Sequence, residues 1–186
     1  MTAIYVHGLG SGAASTTIHI IRKDFPKYEW IAAEVNENPY ESVAKLNSMV
    51  KEFLMGTSLG GYYLFYTDAP QAVKIICNPA MNIETVIREK IGLGKHTYSV
   101  ERENGESEFV LDEEVCDRFE EYREATPAIA GVRNYAVFSA HDELIGDSSS
   151  LDNMAMAFDA GYSILIDAKG GHRLRNTTLK LLKKHI

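Results

Sequence analysis

Phe53-Leu54-Met55-Gly56-Thr57-Ser58-Leu59-Gly60-Gly61-Tyr62-Tyr63 is the stretch on which the fold turns. Three apolar residues with no polar alternation read as a strand covered on both faces. Leu59 to Tyr66 reads as a helix. Between them stands Gly56-x-Ser58-x-Gly60, a serine with glycines two residues to either side. A strand that turns into a helix this abruptly strains the serine backbone and leaves room only for small neighbours at those positions. The serine hydroxyl is then held clear of the sheet, in front of a helix N-terminus. The competing reading of the same residues is a glycine-rich turn with a helix-capping serine.

The same rhythm, an apolar run and then helical spacing, recurs outward in both directions. Ala3–Val6, Trp30–Ala33, Val73–Cys77, Tyr135–Phe138 and Ser163–Ile166 read as further strands. Helical faces follow at Ile18/Ile21/Phe25, Val43/Leu46/Val50 and Leu151/Met154/Phe158, and a Lys-rich helix closes the chain from about Leu174. Such βαβ alternation predicts an α/β fold with a mostly parallel sheet of about six strands and helices on both faces. The expected organisation is a single domain over residues 1–186. The stretch from about 81 to 133 is too long for one crossover and reads as a cap insertion. It holds a helical pattern at Ile83/Val86/Ile87/Ile91, a hairpin of Tyr98–Val100 with Phe109–Leu111 around Asn104-Gly105, and an acidic helix with Val115, Phe119 and Tyr122 on one face.

A serine needs a base to act as a nucleophile at neutral pH, and the base needs an orienting carboxylate. His172 follows Gly170-Gly171 after the last strand, at the carboxyl edge of the sheet where Ser58 also emerges, so His172 is the base candidate. His96 lies in the hairpin, His141 precedes a carboxylate, and His185 sits in a solvated basic helix. The carboxylate should leave the end of the strand at Tyr135–Phe138. Asp142 is preferred for its shorter reach, Glu143 is the fallback and Asp147 a distant third. Oxyanion donors are expected from the backbone N–H groups of Leu59, after the serine, and of Leu9, in the loop His7-Gly8-Leu9-Gly10-Ser11-Gly12. Gly8, Tyr63 and Asn78 are candidate substrate contacts, while His7 reads as a shaper of its loop.

The same loop matches the dinucleotide fingerprint through Gly8-x-Gly10-x-x-Ala13, with Glu34 at the end of the next strand. That reading makes the chain an NAD(P)-dependent oxidoreductase, but it leaves Ser58, Asp142 and His172 without a role, and His7 stands where an apolar strand residue is usual. A net charge of −7, from 19 Lys plus Arg against 26 Asp plus Glu, disfavours nucleic-acid and anionic-membrane partners. Two cysteines make no disulfide framework, no Cys/His cluster suggests a metal, and no run of residues is long enough to span a bilayer. No cofactor and a cytoplasmic location are expected.

Tyr5-Val6-His7-Gly8, Gly56 to Tyr63 and Asn78-Pro79-Ala80 together resemble the small bacterial YqiA/YcfP-type esterases, compact members of the α/β-hydrolase superfamily. The resemblance spans most of the chain, with one departure: Ser11-Gly12-Ala13 stands where that family tends to continue Ser-Ser-Pro. It implies a compact α/β-hydrolase fold without the antiparallel leading strands of larger members. It also implies Ser58 as nucleophile, Asp142 as triad acid and His172 as base. The expected function is then a serine esterase cleaving a carboxylic ester or acyl-thioester. The rivals are the oxidoreductase, an acyltransferase using the same three residues, and a non-catalytic interaction protein on the same fold.

Overall fold

In the computed structural model, Ile4 and Val6 of the first strand are buried in one hydrophobic cluster and Ala3 and Tyr5 in another. This is the period-two signature of a sheet covered on both faces. The structure describes residues 1–49 and 52–185, without the side chains of Asp147 and Ser148. The expected helix position Val50 and the third-choice carboxylate Asp147 therefore lie outside the residues and side chains described.

In chain order the strands are β1 (Thr2–Val6), β2 (Glu29–Ala33), β3 (Phe53–Thr57), β4 (Val73–Cys77), β5 (Gly94–Thr97), β6 (Glu108–Leu111), β7 (Arg133–His141) and β8 (Ser163–Gly171). The helices are α1 (Thr16–Asp24), α2 (Pro39–Ser48), α3 (Leu59–Tyr66), α4 (Ile83–Val86) running on into a π-helical turn (Ile87–Ile91), α5 (Glu113–Ala125), α6 (Asp147–Asp159) and α7 (Asn176–Leu182). Six strands pair in parallel in the order β2-β1-β3-β4-β7-β8, and β5 pairs with β6 as a separate antiparallel ribbon. The order reverses between β1 and β3. The carboxyl ends of these two strands form the crevice in which open α/β sheets place their ligands.

Local signals explain where the elements begin. Asn38 caps α2 by accepting from the N–H groups of Tyr40 (3.1 Å) and Glu41 (3.4 Å), with Pro39 in the first turn. Asp112 caps α5 by accepting from Val115 N–H at 2.9 Å. Helix α3 is buried at every position, which is why it shows no amphipathic stripe. From the segment between β4 and β7, Leu111, Val115, Phe119 and Tyr122 enter the same cluster as Leu54 and Ile76. At roughly 1.5–3 kcal/mol per buried side chain, they fasten that segment to the sheet.

Two expectations need correction. The hairpin forms from Gly94–Thr97 rather than Tyr98–Val100, with His96 opposite Phe109. Residues 98–107 instead make a loop seated on the body, because Ser99 N–H and Oγ both donate to Gly10 O, at 2.8 and 2.9 Å. On α6, Leu151 and Phe158 face solvent, at 65% and 70% exposure. Asn153 and Ala157 are the buried pair, and Asn153 Nδ2 donates to Pro79 O at 3.0 Å. One inward hydrogen bond and a small residue set this helix's rotation against its more apolar face.

Candidate active site

Ser58 sits between β3 and α3 with φ 53° and ψ −119°, a backbone state that costs a non-glycine residue about 1–3 kcal/mol. Packing enforces it. A Cβ at Gly56 would overlap the Gly60 carbonyl, and one at Gly60 would overlap the Val6 and His7 carbonyls. The turn is pinned further by Ser58 N–H donating to Cys77 O at 3.0 Å. Leu59 opens α3, where its N–H has no intrahelical acceptor and lies at the positive end of the helix dipole.

His172 follows β8 directly, since that strand runs five residues beyond its expected end, to Gly171. Its Nε2 is 3.0 Å from Ser58 Oγ, and its Nδ1 is 2.9 and 3.0 Å from the two oxygens of Asp142. An ionised carboxylate only accepts, so Nδ1 carries the proton and Nε2 turns its lone pair to the serine. Asp142 is buried, and its Oδ1 also accepts from the N–H groups of Leu144 (3.1 Å) and Ile145 (2.9 Å). Glu143 stands elsewhere: its Oε2 accepts from the backbone N–H of His172 at 3.1 Å. Backbone N–H groups, its own and that of His172, hold the exposed Glu143 carboxyl below the usual range. The two adjacent acids thus divide the work, one on the ring and one on the main chain.

Gly8 abuts the serine, such that a Cβ there would come within 3.3 Å of Ser58 Cβ. Leu9 follows, half-buried. His7 shapes this loop as expected. Nδ1 donates to Gly8 O at 2.9 Å, and Nε2 accepts from Val35 N–H at 3.2 Å. Burial, reinforced by the nearby Arg102 charge, pushes the His7 ring down to about 4, so it is neutral at physiological pH.

Two of the expected substrate contacts are placed otherwise. Tyr63 is fully buried and its hydroxyl donates to Asn36 O at 2.5 Å, which makes it a packing group. Asn78 is buried at φ 45°, and its amide is committed to the protein. Nδ2 donates to Gly171 O (2.9 Å), His172 O (2.9 Å) and Ser139 Oγ (3.0 Å), while Oδ1 accepts from Ser139 N–H (2.8 Å). Asn78 thereby ties together the ends of β4, β7 and β8. The sequence offers a weak signal for this, since asparagine tolerates positive φ and stands at a strand end before proline.

Glu34, the ribose-binding acid of the dinucleotide reading, is also committed. Oε2 accepts from Ala13 N–H at 2.8 Å, and Oε1 pairs at 2.5 Å with Nε of Arg102, both side chains buried. No motif in the sequence signals these contacts of Arg102, because the loop that carries it falls between the expected hairpin strand and turn. Among the described residues no group of three or more His, Cys, Asp or Glu is arranged to hold a metal, and no helix is long and apolar enough to cross a membrane.

A serine at a strained strand–helix turn, at the switch point of a parallel sheet, is the arrangement of the α/β-hydrolase class, and similar folds are found there. Mouse alpha/beta hydrolase domain-containing protein 10 superposes with a TM-score of 0.69 at 13% identity, over 99% of this chain and 87% of that one. A monoacylglycerol lipase from Paleococcus ferrophilus gives 0.62 at 15%, over 99% and 91%. Est1E from Butyrivibrio proteoclasticus, solved with ferulic acid bound, gives 0.61 at 11%, over 99% and 85%. At these identities the likeness is one of fold. The chain belongs to the YqiA/YcfP family, described as Uncharacterised protein family (UPF0227), whose profile matches residues 2–183. No curated protein sequence matches it.

Proposed function

We propose that this protein is a serine hydrolase acting on a small carboxylic ester or acyl-thioester. Ser58 Oγ attacks the carbonyl carbon as its proton passes to His172 Nε2. The oxyanion is received by the N–H groups of Leu9 and Leu59, each such donor lowering the barrier by about 3 kcal/mol. Asp142 keeps the imidazole in orientation and balances the imidazolium. Collapse breaks the bond to the alcohol or thiol, which takes the proton from His172 and leaves an acyl group on Ser58. Water then attacks that acyl group, giving its proton to His172, and the carboxylic acid departs as Ser58 Oγ is reprotonated.

The observation that carries this reading is the continuous line from Ser58 Oγ through the His172 ring to the Asp142 carboxylate, with hydrogen bonds of 2.9–3.0 Å. It is supported by the monoacylglycerol lipase named among the similar folds. In this reading residues 81–133 form a cap, since Phe109 packs on Gly10 and Ser99 holds its carbonyl. No cofactor enters the reaction. The test is intact-mass analysis after treatment with a fluorophosphonate, followed by turnover of a panel of chromogenic esters and acyl-thioesters. One label per chain, mapped to Ser58 and lost with all turnover in Ser58→Ala, is expected. A folded Ser58→Ala protein with undiminished turnover would overturn the reading.

A further inference from the structure

Three carbonyls of the loop after β1 are held in place, one by the loop's own His7 and two by residues between β5 and β6. Gly8 O accepts from His7 Nδ1, Gly10 O from Ser99, and Ser11 O from Arg102 Nη1 at 2.8 Å. In a trans peptide the carbonyl and the following N–H point in opposite directions. No peptide bond among the described residues is cis, so holding Gly8 O against His7 turns the Leu9 N–H to the other side of the loop. Arg102 is the common support. It is 4% exposed, its Nη2 donates to Val35 O at 2.7 Å, its Nε pairs with Glu34, and its Cζ sits over the Tyr98 ring, 4.4 Å from the centroid. Its Nη1 is also 3.3 Å from His7 Nε2. A guanidinium cannot accept, so it shares the Nε2 lone pair with Val35 N–H and reinforces the tautomer with the His7 proton on Nδ1, where Gly8 O requires it.

We propose that Arg102, delivered by the connection between β5 and β6, is a positioning residue for the Leu9 oxyanion donor and acts through His7 and Ser11. The proposal rests on the serine-hydrolase reading and extends it. The segment between β4 and β7 is then part of the device that stabilises the transition state, as well as a cover over the crevice. Neither His7 nor Arg102 touches the reacting atoms. Their effect lies in where one N–H points, and a misplacement of about 1 Å in such a group can cost about 100-fold in rate.

The test compares wild type with Arg102→Lys, which keeps the charge beside Glu34 but loses the fork that reaches Ser11 O and Val35 O together. The readouts are kcat and KM on a turned-over acyl ester, the rate of Ser58 labelling by a fluorophosphonate, and the ring nitrogen shifts of 15N-labelled His7. A folded Arg102→Lys protein with KM within about twofold of wild type, kcat and labelling both reduced about 10–100-fold, and the His7 Nε2 shift moved by loss of the guanidinium donor is expected. If lysine prevents folding, Arg102→Gln combined with Glu34→Gln removes the buried charges as a pair and is read in the same way. Labelling and kcat unchanged in a folded variant, beside a labelled wild type, would overturn this proposal alone. A wild type that takes no label would overturn the hydrolase reading together with it.

Discussion

Asn78 donates its side-chain amide to the carbonyl oxygen of His172, 94 residues further along the chain, at 2.9 Å. The same amide holds Gly171 O, so the backbone just before and at the imidazole hangs on one buried side chain. Replacing Asn78 by Ala leaves these carbonyls without the amide, at about 1–3 kcal/mol for a buried group, and keeps a Cβ at φ 45° without the side chain that makes asparagine tolerant there. Asn78→Gly removes the amide without the backbone strain. Thermal or urea unfolding should therefore rank wild type above Asn78→Gly and Asn78→Gly above Asn78→Ala. Both variants should lose kcat by about 10-fold or more, with KM little changed. Full kcat in either would show that the His172 backbone needs no such anchor.

Asp142 and Glu143 are neighbours in sequence and distinct in consequence. Asp142→Asn should lower kcat by about 10³–10⁴-fold, because an amide can donate to Nδ1 and favour the wrong tautomer. Glu143→Gln should stay within about threefold, since the amide oxygen still accepts from the His172 N–H and a weakened hydrogen bond costs under about 1 kcal/mol. Steady-state kinetics on both variants settle the assignment, and a reversal of the two effects would make Glu143 the acid.

His7 predicts a pH dependence of stability. Its folded-state value is about 4, below the ordinary 6.5, because burial penalises the imidazolium. Between these values the unfolded chain binds more protons at this residue than the folded chain does. The His7 contribution to stability is therefore complete above about pH 6.5 and falls as pH drops towards 4, by roughly 3 kcal/mol in all. Urea unfolding at pH 7, 5.5 and 4.5 should show wild type losing stability faster than His7→Asn. Parallel curves would mean that the ring takes up its proton as readily in the folded protein as in the unfolded chain.

What could be read in the sequence follows from the range of the interactions. The turn at Ser58 is signalled within five residues by Gly56, Ser58 and Gly60, although the carbonyls that Gly60 makes room for belong to Val6 and His7. The order Ser58, Asp142, His172 was legible because a parallel sheet brings every strand's carboxyl end to one rim. Arg102 was not legible, since its partners Glu34, Val35 and His7 lie 67 to 95 residues away. Pattern reading also misplaced the face of α6, where the hydrogen bond of Asn153 to Pro79 outweighs the pull of Leu151 and Phe158. The same limit applies to Asn78 and Tyr63, which a site-adjacent position suggested as ligand contacts and which long-range hydrogen bonds commit to the scaffold.

β8 is both the last strand of the sheet in sequence and a strand at its edge. Ser58 follows β3, a strand in the middle that pairs with β1 and β4, from the first half of the chain. The alcohol is thus supplied by the first half of the chain and the imidazole by the residue after its last strand. In the hydrolase reading proposed above, a chain whose edge strand has not yet docked carries a hydroxyl without its base, and chemical competence waits for the sheet to be complete.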